Sequence, residues 1–390
     1  MLANLRIKNF RMLDDLEIPK LGRVNLIVGK NNSGKSTILE ALRLYAGKAH
    51  PKLLREILQG HDEFFNMDAD SSIENQEQNW YGLKHLFPNR KFPTDDNSYI
   101  SIVSDEKSLI KIEHVFYYIK EDKETNADGD TIDTIRRRIT INQSEFSAVE
   151  DITEFVPAIR VTLGSGRSTL FDLADDMRRP ITSIQWRLID DPGSPKSSYV
   201  STAFLASEAL AKLWDQITLS PYEHTVLSAL KVIDIQVEGL AFIENRNKYS
   251  SRDNGRLAIV KLKHSDDRIP LNSMGDGMSR ILQLILSVFP AKDGVLLIDE
   301  FENGLHFSVQ EEVWRIIFDL AKELNIQVFA TTHSWDCIES FTNVAVENSE
   351  DGVLLKVSKS KLTSDNGKII ATVYDEEALK TVTASALEVR

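Results

Sequence analysis

Residues 23–37, Arg-Val-Asn-Leu-Ile-Val-Gly-Lys-Asn-Asn-Ser-Gly-Lys-Ser-Thr, join an apolar run to a glycine-bounded loop ending in Lys35 and Ser36. The helical pattern Ile38-Leu-Glu-Ala-Leu-Arg-Leu44 follows at once. Strand, Gly-x-x-x-x-Gly-Lys-Ser loop and helix in that order constrain this segment to a phosphate-binding loop, called Walker A. Between Gly29 and Gly34 the backbone can fold into a nest of amide N–H groups through Asn31, Asn32 and Ser33. The helix N-terminus adds partial positive charge facing the same anion. The loop is thus expected to bind ATP. Lys35 would reach the β- and γ-phosphates, Ser36 would give one oxygen to Mg²⁺, and Thr37 would add a phosphate contact.

Asp293-Gly-Val-Leu-Leu-Ile-Asp-Glu300 is an apolar run ending in two carboxylates, the pattern of a fully buried parallel strand of the Walker B kind. Asp299 is expected to hold Mg²⁺ through water, and Glu300 to polarise the water that attacks the γ-phosphate. Upstream, Ile269-Pro-Leu-Asn-Ser-Met-Gly-Asp-Gly-Met-Ser-Arg280 sets Ser273 26 positions before Asp299. Here the chain resembles the ABC-type ATPases. The resemblance implies that Ser273 and Gly275 open a helix whose N-terminus caps the γ-phosphate bound by another subunit. Asp276 departs from the glutamine or glutamate usual in transporters. Ile326 to Ser334 reads as a further buried strand, ending in His333, 34 positions after Asp299. By the same resemblance His333 is the switch histidine, donating an imidazole N–H to the γ-phosphate.

The opening Leu5 to Ile18 alternates like a hairpin of two strands, and its Asn-Phe-Arg start resembles SMC, RecF and OLD proteins. That likeness makes Arg11 a candidate nucleotide contact, with a plain surface arginine as the other reading. Asp299-Glu-Phe-Glu-Asn-Gly-Leu-His306 resembles the OLD-like pattern, with Phe301 in place of the usual proline. Glu302 to His306 would be the D-loop region at a dimer seam. Trp335 stands where proline is frequent after Thr-His-Ser. The likeness covers the first fifty residues and roughly residues 225 to 390.

Lys35 and Asp299 lie 264 positions apart, so both ends of the chain must complete one nucleotide-binding core. The expected fold is α/β: an ABC-type P-loop ATPase core with a mixed sheet, plus a large α+β insertion. Residues 1–48 would carry Walker A, 49–232 the insertion, and 233–390 the signature, Walker B and switch histidine. The insertion holds an expected hairpin, 110–119 with 131–141, around the polar turn 126–130; its arginines 136–138 read as a solvated face. A break at 190–198, helices at 202–217 and 221–232, and a second hairpin, 233–243 with 257–262 around a polar loop at 245–255, follow. No sustained heptad run is present, which excludes long coiled-coil arms. A γ-phosphate-sensing glutamine should follow the first helix. Gln59, Gln76 and Gln78 all qualify.

Lys and Arg number 46 against 59 Asp and Glu, a formal charge of −13, which disfavours broad nucleic-acid binding. Cys337 is the single cysteine, so no internal disulfide or cysteine zinc site can form. Without a secretory-type leader or an apolar run of ~18 residues, the chain reads as cytoplasmic with no membrane partner. The resemblance implies a homodimer sandwiching ATP, with assembly beyond a dimer left open. Only 57 residues follow His333, ending in strands at 352–357 and 368–374 and a helix at 375–385. OLD nucleases continue into a Toprim domain at this point. A separate effector chain, nuclease or toxin, is therefore expected, as in anti-phage systems of the PARIS and Septu kinds, with a phage component as trigger. The alternative is a RecF-like repair ATPase that binds DNA.

Overall fold

The computed structural model describes residues 1–63, 81–95, 97–104, 109–125, 131–149, 154–173, 196–244, 255–265, 267–348, 351–365, 367–374 and 378–379. In chain order the strands are β1 (Leu5–Phe10), β2 (Leu13–Ile18), β3 (Val24–Val28), β4 (Ile100–Val103), β5 (Leu109–Thr125), β6 (Thr131–Ile141), β7 (Val156–Leu163) and β8 (Ser168–Asp172). Then come β9 (Ser197–Val200), β10 (Val237–Glu244), β11 (Arg256–Leu262), β12 (Arg268–Pro270), β13 (Val295–Ile298), β14 (Gln327–Thr332), β15 (Gly352–Lys359) and β16 (Ile369–Tyr374). The helices are α1 (Lys35–Ala46), α2 (Pro51–Gly60), α3 (Ser207–Asp215), α4 (Tyr222–Leu230), α5 (Asp276–Val288), α6 (Phe307–Glu323) and α7 (Trp335–Glu347).

The chain divides into two compact units. The first comprises Met1–Asn4, Ile18–Ala46 and Pro195–Arg390. Its six-stranded sheet runs β16-β15-β3-β14-β13-β9. β15, β3, β14, β13 and β9 are mutually parallel, and β16 alone is antiparallel. Every residue of β3, β13 and β14 is buried, as expected of parallel strands covered on both faces. The core gathers around Trp314: Phe301 stacks on its ring at 3.7 Å, and Phe341 meets it edge-on at 5.1 Å. Helix α5 is buried along ten of its thirteen residues, so its apolar run supplies a central layer. A small sheet, β10-β11-β12, delivers the chain to the loop before α5.

The second unit comprises Leu5–Glu17 and Gly47–Ser194. Its sheet runs β2-β1-β4-β5-β7-β8, with β6 also on β5. β5 is long because one half pairs β7, Ile110↔Leu163, and the other continues along β6, Phe116↔Ile141. Arg136 pairs with Glu121 and Arg138 with Asp172, so the basic run lies on an ion-paired face open to solvent. Arg160 and Lys111 both bind Glu113, and they hold its carboxyl below the usual range against the opposing effect of burial.

This division differs from the expected boundaries at 48 and 233. β9 pairs β13 in register, Val295↔Ser197, so residues from 196 onward, with α3 and α4, belong to the nucleotide-binding unit. β1 instead pairs β4 at Ile7↔Ile102 and joins the other sheet. Strand alternation signals a strand, not its neighbour, and both differences are matters of long-range pairing. The turn at 126–130, the polar loop at 245–254, residues 190–195 of the expected break, Gln76, Gln78, and all but residues 378–379 of the expected 375–385 helix lie outside the described residues. Gln59 is exposed near the end of α2, in the second unit.

Candidate nucleotide site

Gly29 leaves β3 and begins the loop. A Cβ there would sit 2.3 Å from the carbonyl oxygen of Val357 and 2.6 Å from Ser33 Oγ, so only glycine lets β15 close on the loop. Asn32 and Gly34 take left-handed φ values of 59° and 99°, which turn the backbone back toward α1. Lys35 Nζ folds across the loop and donates to the carbonyls of Gly29, at 2.8 Å, and Lys30, at 3.1 Å. Burial lowers its pKa, and Glu300, Asp299 and Glu302 oppose that by favouring the ammonium. The same loop borders a cleft of about 660 Å³, whose lining includes Lys30, Asn32, Lys356, Lys359 and Lys361 of the loop, β15 and the segment beyond it.

Two strands bring the acids to this loop. Asp299 follows β13, and its Oδ1 accepts from Thr331 Oγ1 at 2.7 Å and from Ser36 Oγ at 3.4 Å. Thr331 Oγ1 in turn accepts from the Glu300 backbone N–H at 2.9 Å. The last residues of β14 thereby fix the carboxylate orientation at the end of β13. Ser36 and Asp299 are hard oxygen donors in contact, and among the described residues no cluster of three or more His, Cys, Asp or Glu could hold a metal. That donor set fits Mg²⁺, which takes one or two protein oxygens and completes its shell with water and phosphate.

Glu300 is held at φ 47°, a left-handed conformation uncommon outside glycine, with its side chain 43% exposed. Glu302 is the opposite case, a nearly buried carboxylate. Its Oε1 accepts the backbone N–H of His333 at 3.0 Å and of Ser334 at 3.1 Å, and lies 3.1 Å from His333 Nδ1. Glu300 Oε1 is 3.8 Å from that same nitrogen. The structure therefore brings Lys35, Ser36, Asp299, Glu300 and His333 together at the carboxyl ends of parallel strands, where α/β sheets place ligands.

Ser273 and Gly275 lie in the same unit but are held differently. Ser273 Oγ donates to the carbonyl of Pro270 at 2.6 Å. Gly275 takes φ 94° as the residue before α5, with no side chain capping the helix. Arg11 belongs to the other unit, where its guanidinium is mostly buried against Glu63, each contact 2.9 Å.

Three residues do more here than the sequence reading gives them, which places Glu302 only in a D-loop region. Thr331 and Glu302 are two. The third is Arg280, fully buried in α5, which donates to the carbonyls of Ser201 at 2.8 Å, Asp299 at 3.0 Å and Glu300 at 2.9 Å. An arginine beside the apolar run of α5 was the available signal. Tyr199 of β9 lies beneath the Arg43 guanidinium, 4.1 Å from its ring centre, and burial with the nearby Asp299 charge pushes its hydroxyl to about 12.

Residues 24–336 match the family described as "AAA domain, putative AbiEii toxin, Type IV TA system". An "ATP/GTP phosphatase" of Helicobacter pylori is 25% identical over 375 residues, covering 89% of each chain. An "OLD nuclease" of Thermus scotoductus is 24% identical over 355 residues, 86% of this chain and 59% of that one. Among solved structures, an SMC head bound to the C-terminal winged-helix domain of ScpA aligns over 97% of this chain and 99% of that one, at 15% identity and a TM-score of 0.45. With the loop, the strand-end acids and the histidine assembled in one unit, the chain belongs to this AAA-domain family and is a P-loop ATPase.

Proposed function

We propose that the chain is an ATP-driven switch in which two copies sandwich ATP and the dimer controls a separate effector protein, a nuclease or toxin, in defence against phage. The observation that carries the reading is the hydrogen-bonded series Ser36, Asp299, Thr331 and Glu300 backbone, set beside the half-buried Lys35. Each member has a task in phosphoryl transfer. Lys35 would leave the loop carbonyls for the β- and γ-phosphates, and Ser36 and Asp299 would hold Mg²⁺, which neutralises phosphate charge when bound. Glu300, strained outward and accessible, would polarise the attacking water. Ser273 and Gly275, exposed at the start of α5, would complete the site of a second copy. The family description's mention of a toxin system and the similarity to an OLD nuclease support the defence setting.

Turnover is tested by phosphate release from the full chain. Glu300→Gln should keep ATP binding and lose about 10²- to 10⁴-fold in rate, the range for removing a general base; an unchanged rate would dismiss Glu300 from the mechanism. The switch is tested by recovering the tagged chain, with ATP, from cells carrying its neighbouring genes. A stoichiometric protein partner that disappears with Lys35→Ala supports an effector. Recovery of nuclease-resistant DNA and no protein would sink it in favour of a repair ATPase.

A further inference from the structure

The contact between Glu302 and His333 is more specific than an acid beside a histidine. Two backbone N–H groups, of His333 and Ser334, converge on one oxygen, Glu302 Oε1. That oxygen is therefore an acceptor. A proton on the carboxyl group would sit on the other oxygen, Oε2, which is buried and meets no hydrogen-bond partner among the described residues. His333 Nδ1, 3.1 Å from Oε1, must then bring its own hydrogen. Which ring nitrogen carries the proton is set by the bond the other makes.

We propose that Glu302 is the positioning residue of His333, fixing the imidazole as its Nδ1–H form and turning Nε2 toward the nucleotide as a bare nitrogen. A neutral His333 held this way can only accept at Nε2. It donates to a γ-phosphate oxygen only as the imidazolium, carrying a proton on each nitrogen. The charged groups around it bear on that state. Glu302 and Glu300 lie on one side of the ring, 3.1 Å and 3.8 Å from Nδ1, and the phosphate would lie on the other. In a Nε2–H form it would donate whether protonated or not, and its bond would be indifferent to charge. This deepens the reading of His333 as the phosphate sensor and rests on it.

The test uses the full chain labelled with ¹⁵N-histidine, without nucleotide, near neutral pH. The eight histidines are few enough that His333→Asn identifies the His333 signals by their loss. In the wild-type protein the two-bond nitrogen–proton pattern should show hydrogen on Nδ1. Glu302→Ala should shift it toward the Nε2–H form and lower kcat by about tenfold, the scale of supporting residues that orient a functional side chain, with KM little changed. Glu302→Gln, whose amide oxygen can still accept from the two backbone N–H groups, should keep the Nδ1–H pattern and recover most of the rate. A wild-type Nε2–H pattern, or a pattern unmoved by Glu302→Ala, would overturn the proposal. Because the nitrogen pattern is read without turnover, a chain that proved not to hydrolyse ATP would refute the functional reading while leaving the tautomer result to stand or fall by itself.

Discussion

Two glycine-bearing loops in the nucleotide-binding unit each open a helix, and they differ in how finished they are. The loop before α1 is closed on itself. Lys35 is bonded to its carbonyls, Gly29 is packed against Val357, and Ser36 touches Asp299 of another strand. The loop before α5 faces outward. Its serine is satisfied only locally, by Pro270, and a Cβ on Gly275 would meet nothing within 4 Å. Preorganised groups cost little reorganisation when charge develops at them. A loop that its own chain leaves open at the same sheet end has the properties of a surface awaiting a complement.

The largest effect expected of this difference falls on the closed loop. Lys35→Ala should reduce turnover by about 10²- to 10³-fold, as loss of one preorganised charge donor does, and phosphate release measures it. The glycines should separate next. Gly29→Ala must displace Val357 or Ser33, a crowding that costs about 1–3 kcal/mol and lowers Tm. Gly275→Ala has room and meets only the backbone cost of φ 94°, so thermal melting should move less while turnover falls. Equal shifts in Tm would erase the distinction between the loops.

A smaller but more decisive effect comes from mixing. Lys35→Ala and Ser273→Ala chains, each inactive, should together recover about a quarter of the wild-type rate if sites are shared across a two-fold dimer, since half the random pairs hold one intact site. No recovery would mean that each chain serves itself. The smallest effect concerns pH. Burial lowers the Lys35 pKa, so as pH rises its ammonium is lost earlier than that of an ordinary lysine, and ATP affinity should fall on the alkaline side below the usual lysine range. In Lys35→Ala that alkaline decline should be gone, as read by nucleotide binding across pH.

These contrasts also explain what could be read without coordinates. The Lys35 loop was legible because its chemistry lies in consecutive residues, and Asp299 and His333 because each ends an apolar run. Glu302 was not, since its role comes from meeting residues 333 and 334 across a fold that a run of letters does not show. Thr331 looked like one more β-branched residue in a buried strand. Four residues of β9 carry too little pattern to announce that they join the central sheet, and only the register with β13 reveals it. Phe301, read as a replaced proline, proves to be a ring stacked in the core.

Arg280 has a mechanical consequence. One fully buried guanidinium ties the helix that follows Gly275 to the carbonyls of Asp299 and Glu300. Such a strut transmits displacement without needing a hinge. Pushing or rotating α5 at its exposed end would carry the peptide units of Asp299 and Glu300 with it. Under the proposed sandwich, a second copy docking at the loop before α5 would reach Asp299 and Glu300 as a change of position, through one hydrogen-bonded side chain.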